Sequence, residues 1–280
     1  MPMPLNRPLW MRPAALIAIH AMAACARSAP PPAPAPPETA RLAPVTARYH
    51  LVEHRHVEQQ YHGQTIVTDA ATRATLAIGL DSAPPGFALE VVVDSIAVSG
   101  DAGVTAEAVA AAAGARYRAD VSPDGSVEAV TGPGAAEPLM DQLALRMHEL
   151  VPRMPAGGAL PGATWSDTTH LRGRTAGIPI TIETRARHRS EETWTELDGR
   201  RVLPITSVTE YVLSGEGERA GQWLIMAGTG VSHLRRLLTH DAAVALGIRH
   251  DTLHVTIELP GTGGRIPLIQ IRTDTLRRVD

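Results

Sequence analysis

The chain has 280 residues, 26 of them basic and 29 acidic, for a net charge of −3. Every basic residue is arginine, which excludes a phosphate-loop lysine, a lysine Schiff base and pyridoxal chemistry. The single cysteine excludes an internal disulfide and a cysteine zinc cluster, and the charge balance gives no basic field for nucleic acid.

Met1 to Pro13 carries Arg7 and Arg12 and no acid, as the n-region of a secretory signal does. Ala14 to Ala24 is mostly apolar but well short of the roughly 20 residues a membrane-spanning helix needs. Met22-Ala23-Ala24-Cys25 resembles the lipobox of bacterial lipoproteins, although leucine is usual where Met22 stands. The resemblance implies a signal peptide over residues 1–24, lipidation of Cys25 and a membrane-anchored mature chain. Ala26 after the cysteine implies an outer membrane, periplasm-facing destination. The alternative is an ordinary secretory signal with an incidental cysteine. After cleavage 24 basic and 29 acidic residues remain, a net charge of −5. Ala29 to Pro37 alternates proline and alanine, so residues 25–44 read as a polyproline tether and the folded domain as 45–280.

Strand patterns follow one another from Tyr49. Leu76, Ile78 and Leu80 share one face, as do Phe87, Leu89, Val91 and Val93 after the Ala83-Pro84-Pro85-Gly86 turn. A short helix is predicted over 105–113, capped by Thr105. Arg116–Val121 and Ser126–Val130 flank Ser122-Pro123-Asp124-Gly125, a hairpin signal. A helix over 135–151 follows, with Leu139, Met140, Leu143, Met147, Leu150 and Val151 at helical spacing, ended by Pro152 and Pro155. Strands resume at Trp165. Ile178, Ile180 and Ile182 alternate with polar residues, Asp198-Gly199 turns a hairpin, and long strands are predicted over 200–213 and 222–240, the second with a possible break at Gly228 and Gly230. Leu253, Val255, Ile257 and Leu259 form another inward face, and 266–274 closes the chain. The expectation is an α+β domain, mainly antiparallel β, with a curved sheet or half-barrel covered by one amphipathic helix.

The order of Asp124-Gly125 hairpin, helix ending in prolines, Pro161-Gly162-Ala163-Thr164-Trp165 and Asp198-Gly199 hairpin resembles a group of uncharacterised bacterial lipoproteins. The outline also resembles, more distantly, the LolA-like lipoprotein carriers, which implies a curved sheet wrapped around an apolar cavity. It brings no catalytic residue.

Several constellations merit weighing. His50, His54, His56 and His62 occupy even positions of one predicted strand and so share a face. His54 and His56, with Glu58 nearby, are a candidate metal pair, against a solvated strand face. Asp120, Ser122, Asp124, Ser126 and Glu128 mimic the start of a calcium loop, but Pro123 and Thr131 break it and a hairpin explains the same residues. Ser232 is half of a nucleophile elbow whose second glycine is replaced by Leu234, and Asp251 and His254 serve a triad only with a nucleophile beside them. Trp165, Trp194 and Trp223 are candidate linings of a ligand cavity, against a role as core anchors. The sequence asks for no cofactor. It points to a non-enzymatic, lipid-anchored envelope protein that binds an apolar molecule. The alternatives are a scaffold for other envelope proteins and, third, a hydrolase.

Overall fold

The computed structural model describes residues 38–101, 103–133, 138–175 and 177–280. The expected signal peptide, Cys25 and most of the expected tether therefore lie outside the described residues. Residues 38–44, expected as the end of the tether, belong to the fold. Ala40 and Leu42 are buried in the core, and Ala40 exchanges backbone hydrogen bonds with Ala159.

Twelve strands form one curled, half-barrel sheet in which every pairing is antiparallel. They are β1 (Val45–Tyr61), β2 (Gln64–Ala83), β3 (Gly86–Gly100), β4 (Arg116–Val121), β5 (Val127–Thr131), β6 (Thr164–Thr175), β7 (Ile178–Ser190), β8 (Thr195–Leu197), β9 (Arg200–Arg219), β10 (Gln222–Leu238), β11 (Val244–Leu259) and β12 (Gly264–Arg278). The spatial order is β5-β4-β3-β2-β1-β12-β11-β10-β9-β7-β6, with β8 paired to β9 alone. Period-two alternation produces this arrangement, since each strand puts one set of side chains into the concave face and the other set outside. The first and last strands meet at the centre of the sheet, Tyr49 opposite Arg278 and Gln59 opposite Leu268. The two edges, β5 and β6, are consecutive in the chain.

Among the described residues two short helices accompany the sheet, at the two places where helices were expected. The first, α1 (Ala106–Ala112), begins where Thr105 accepts a hydrogen bond from the Ala108 amide at 3.2 Å, an N-cap as the sequence indicates. The second, α2 (Pro138–Leu150), is shorter than predicted at its C-terminal end by one residue; 134–137 lie outside the described residues. It connects the two edges and touches β4, β5 and β6. Its stripe of Leu139, Met140, Leu143, Met147 and Leu150 is buried in one cluster with Tyr49, Leu51, Leu76, Leu89, Val91 and Tyr117. Burying each large side chain contributes about 1.5–3 kcal/mol relative to exposure. Pro152 ends the helix, and in its last turn His148 donates from Nδ1 to the Val127 carbonyl at 3.0 Å, tying α2 to the edge strand β5. Among the described residues no helix is long and apolar enough to cross a membrane.

A second, smaller cluster lies towards the hairpin tips of the C-terminal half. Ile178, Ile180, Leu213, Met226 and Val255 form it, with Leu145 of α2 and the half-buried Ile182, Leu253 and Leu268 against it. Strand β10 runs without interruption through Gly228 and Gly230. Gly230 is required there because the Tyr211 ring lies across it. A Cβ at 230 would fall 2.4 Å from the Tyr211 ring and 2.6 Å from the Thr252 carbonyl, to which the Tyr211 hydroxyl donates.

Candidate functional site

A cavity of about 330 Å³ lies between α2 and the concave face, within the roughly 300–1,000 Å³ of small-molecule clefts. The antiparallel register sorts its walls into rows. The row Glu53–Asp274–Arg249 and the row Arg55–Arg272–Asp251 cross β1, β12 and β11 side by side. Towards the other end of the sheet the inward residues turn apolar, through Leu253 and Val255 on β11, Leu213 on β9 and Ile180 and Ile182 on β7. One end of the cleft is therefore charged and the other apolar.

The charged end is a closely coupled network completed by α2. Arg146 pairs with Glu53, with Glu149 at 2.7 Å and with Asp274 at 2.9 Å. Glu149 also takes Arg249 at 2.5 Å and Arg272 at 3.3 Å, and Arg272 pairs with Asp251. Burial pushes the Glu149 carboxyl up, but Arg249, Arg272 and Arg146 outweigh it and hold the group well below the usual carboxylate range. Burial and Arg272 act to lower Arg146, and Glu149, Asp274 and Glu53 overcome both. Arg236 is different. Among the described residues it donates only to the Glu149 backbone carbonyl, and burial together with the neighbouring Arg249 brings it down to about 10.

On the opposite wall, β6, β7 and β9 bring Asp167, His188 and Ser207 together. His188 Nδ1 lies 2.7 Å from Ser207 Oγ and Nε2 lies 2.7 Å from Asp167 Oδ2. With Asp167 ionised, Nε2–H donates to the carboxylate and Nδ1 accepts from the serine hydroxyl. Burial raises the Asp167 carboxyl, and the His188 hydrogen bond reverses that to a net lowering. The Trp165 ring stacks on His188, with centroids 5.1 Å apart. Arg153 stands beside this group, its Nε 3.7 Å from Asp167 and its Nη2 3.3 Å from Asp124; its Nε and Nη1 atoms are buried without an acceptor.

The tryptophans are not on the cavity wall. Trp165 and Trp194 pack against the main core, Arg201 lies over the Trp194 ring, and Trp223 is 51% exposed. Aromatic bulk identified Trp165 and Trp194 as anchors but not which surface they face. His50, His54 and His56 share the outer face of β1, as predicted, while His62 sits in the β1–β2 turn with φ +49°. His56 Nδ1 meets Asp69 at 2.8 Å and Nε2 meets Glu58 at 3.0 Å. These carboxylates, Glu58 first, raise its pKa and favour the imidazolium, which has no lone pair for a metal. Among the described residues no group of three or more His, Cys, Asp or Glu side chains is placed to hold a metal ion. The residues 120–131 form the β4–β5 hairpin, with the Ser126 amide on the Asp124 carboxylate. Ser232 and Asp251 both line the cleft, whereas His254 belongs to the opposite side of β11, so the three form no triad. Pairing strands of 12 to 20 residues in register created the sites that sequence reasoning missed. The signal for the charged rows was present in Glu53, Arg55, Asp251 and Arg272, which hold inward positions of their strands.

The fold and site thus define an antiparallel half-barrel with a cleft that is charged at one end and apolar at the other. No protein-family model matches the chain, and none of the curated proteins does. Among solved structures, the crystal structure of Pseudomonas aeruginosa OccK2 (OpdF) aligns with 84% of this chain and 98% of its own, at 9% identity and a TM-score of 0.29. That score is too low to carry an argument about fold or function.

Proposed function

We propose that the protein is a lipid-anchored envelope protein, held by Cys25 on the periplasmic face of an outer membrane, which binds a molecule with an apolar portion in the cleft under α2. One observation carries the reading: a cavity of about 330 Å³ whose wall includes Leu171, Ile180, Ile182, Leu213 and Leu253. In this reading α2 is the cover, and the half-barrel shape supports the LolA-like outline expected from sequence. A non-enzymatic use is favoured by the setting of Ser207. It lies within β9, paired with β7 on one side and β10 on the other, so neighbouring amides are engaged in the ladders instead of forming an oxyanion hole. Mass spectrometry of lipid extracts from protein purified out of its own host tests the reading, as does acylation of the N-terminal peptide. A co-purifying apolar molecule and an acylated Cys25 are expected. Empty protein that also fails to bind a neutral fluorescent apolar probe overturns the binding role, and an unmodified Cys25 overturns the anchor.

A second reading, a scaffold for other envelope proteins, is favoured by the outer face, where Val208, Val212, Val231, Ile248, Ile269 and Ile271 are exposed on β9 to β12. Cross-linking in intact cells tests it, with capture abolished by Val231→Asp as the supporting result.

A further inference from the structure

Two arginines facing the cleft keep unused hydrogen-bond donors. Six arginines line it, Arg55, Arg146, Arg153, Arg236, Arg249 and Arg272, against the carboxylates of Glu53, Glu149, Asp167 and Asp251. Two further acids stand behind the wall, Asp274 against Arg146 and Asp124 against Arg153. Arg146, Arg249 and Arg272 are consumed by Glu53, Glu149, Asp251 and Asp274. Arg153 keeps Asp124 at 3.3 Å and Asp167 at 3.7 Å, and among the described residues Arg55 and Arg236 have no ion pair. Two Arg153 nitrogens are buried without an acceptor, and the Arg236 guanidinium reaches only a backbone carbonyl. Asp167 is the acid near both, and His188 already donates to one of its oxygens. The depressed Arg236 agrees with a cation short of counter-charge. Guanidinium forks match the oxygens of carboxylates and phosphates. From Asp167 on β6 the inward positions pass through Thr169 to Leu171, beside Ile182 on β7 and Leu213 on β9. Arg153, beside Asp167, thus stands at the head of an apolar track, with Arg236 further back along the same cleft.

Resting on the ligand-binding reading above, we propose that the cleft is a site for an anionic amphiphile, its carboxylate or phosphate head on Arg153 and Arg236 and its chain along Leu171, Ile182, Leu213 and Leu253. The uncharged row between, with Thr169, Thr184, Tyr211 and Gln270, suits the junction of head and chain.

The test is displacement of a neutral naphthylamine probe from the full chain by dodecyl phosphate, dodecanoate, dodecanol and dodecylamine, below their micelle concentrations, and by inorganic phosphate alone. The two anionic compounds are expected to compete about tenfold more tightly than the alcohol, and the amine least. Arg153→Gln and Arg236→Gln, each checked for an unchanged circular dichroism spectrum, are expected to erase most of that preference while leaving the alcohol unaffected. The wild-type ranking needs no substitution, so a misfolded variant does not remove the test. Equal competition by all four head groups overturns the head-group proposal and leaves the apolar site standing. Inorganic phosphate competing as well as dodecyl phosphate overturns the amphiphile, and a probe that never binds overturns the reading beneath it.

Discussion

Glu149 is the acid on which the charged end of the cleft converges, and Glu149→Gln removes its charge while keeping its shape. Three guanidiniums then lose a shared counter-ion, with Arg249 at 2.5 Å, Arg146 at 2.7 Å and Arg272 at 3.3 Å in the native protein. Each contact is worth about 4 kcal/mol of Coulomb energy at an effective dielectric near 20, and desolvation offsets much of it. Removing one partner of a buried pair costs about 3–5 kcal/mol because the other charge is stranded. The Glu149 side chain keeps 29% exposure, and it lines the cleft, so the lower end, about 3 kcal/mol, is expected at pH 7. For a domain of this size that corresponds to a fall in Tm of about 6–12 °C. The pH dependence has a definite sign. A carboxyl whose folded pKa is depressed contributes stability above its unfolded value, near 4.3, and loses it as pH falls through the folded value. The gap between wild type and variant should therefore be full at pH 7 and narrow below about pH 4.3. Thermal melts followed by circular dichroism from pH 7 to pH 3 measure it. A loss under about 1 kcal/mol, unchanged with pH, would refute the reasoning, because that is how a solvent-screened surface pair behaves.

Three other measurements address different parts of the structure. Gly230→Ala places a Cβ against the Tyr211 ring and the Thr252 carbonyl and should cost about 1–3 kcal/mol in denaturant unfolding. Nuclear magnetic resonance titration should find His56 above the usual 6.5, because Glu58 and Asp69 favour its charged form, and His148 below it, because burial disfavours charge; Asp69→Asn should lower His56 and leave His148 in place. Tyr49, Tyr117 and Tyr211 should ionise near 12 in ultraviolet titration, each raised first by burial. The unfolded chain releases these protons near pH 10, so stability falls as pH rises from about 10 towards 12.

Much of the secondary structure was legible, because a half-buried antiparallel strand writes its geometry as strict alternation. Ile178, Ile180 and Ile182 on β7 and Leu253, Val255 and Ile257 on β11 do so plainly, and Thr105 and Pro152 mark helix ends by their own backbone chemistry. The cleft was not legible. Its charged rows obey the same alternation with the polarity reversed, so Glu53, Arg55, Asp251 and Arg272 look like a solvent-facing set until Arg146 and Glu149 of α2 pair with the rows. Asp167, His188 and Ser207 belong to three strands, and register alone brings them together. Of the tryptophans, Trp165 and Trp194 pack against the core as the anchor reading had it, whereas Trp223, 51% exposed, is neither anchor nor cavity lining.

The central pairing of β1 with β12 has a consequence for how the molecule comes into being. Neither strand can complete its ladder locally, since the partners are separated by nearly the whole domain, and closing so long a loop is slow. The sheet can grow as two independent meanders, β1 to β5 and β6 to β12, but the concave trough does not exist until they join at the middle. A chain released from synthesis would remain in two halves until that seam closes. Loss of β12 would remove the seam itself, dividing the cleft floor between Glu53 and Arg249 and leaving two open edges able to pair with neighbouring molecules.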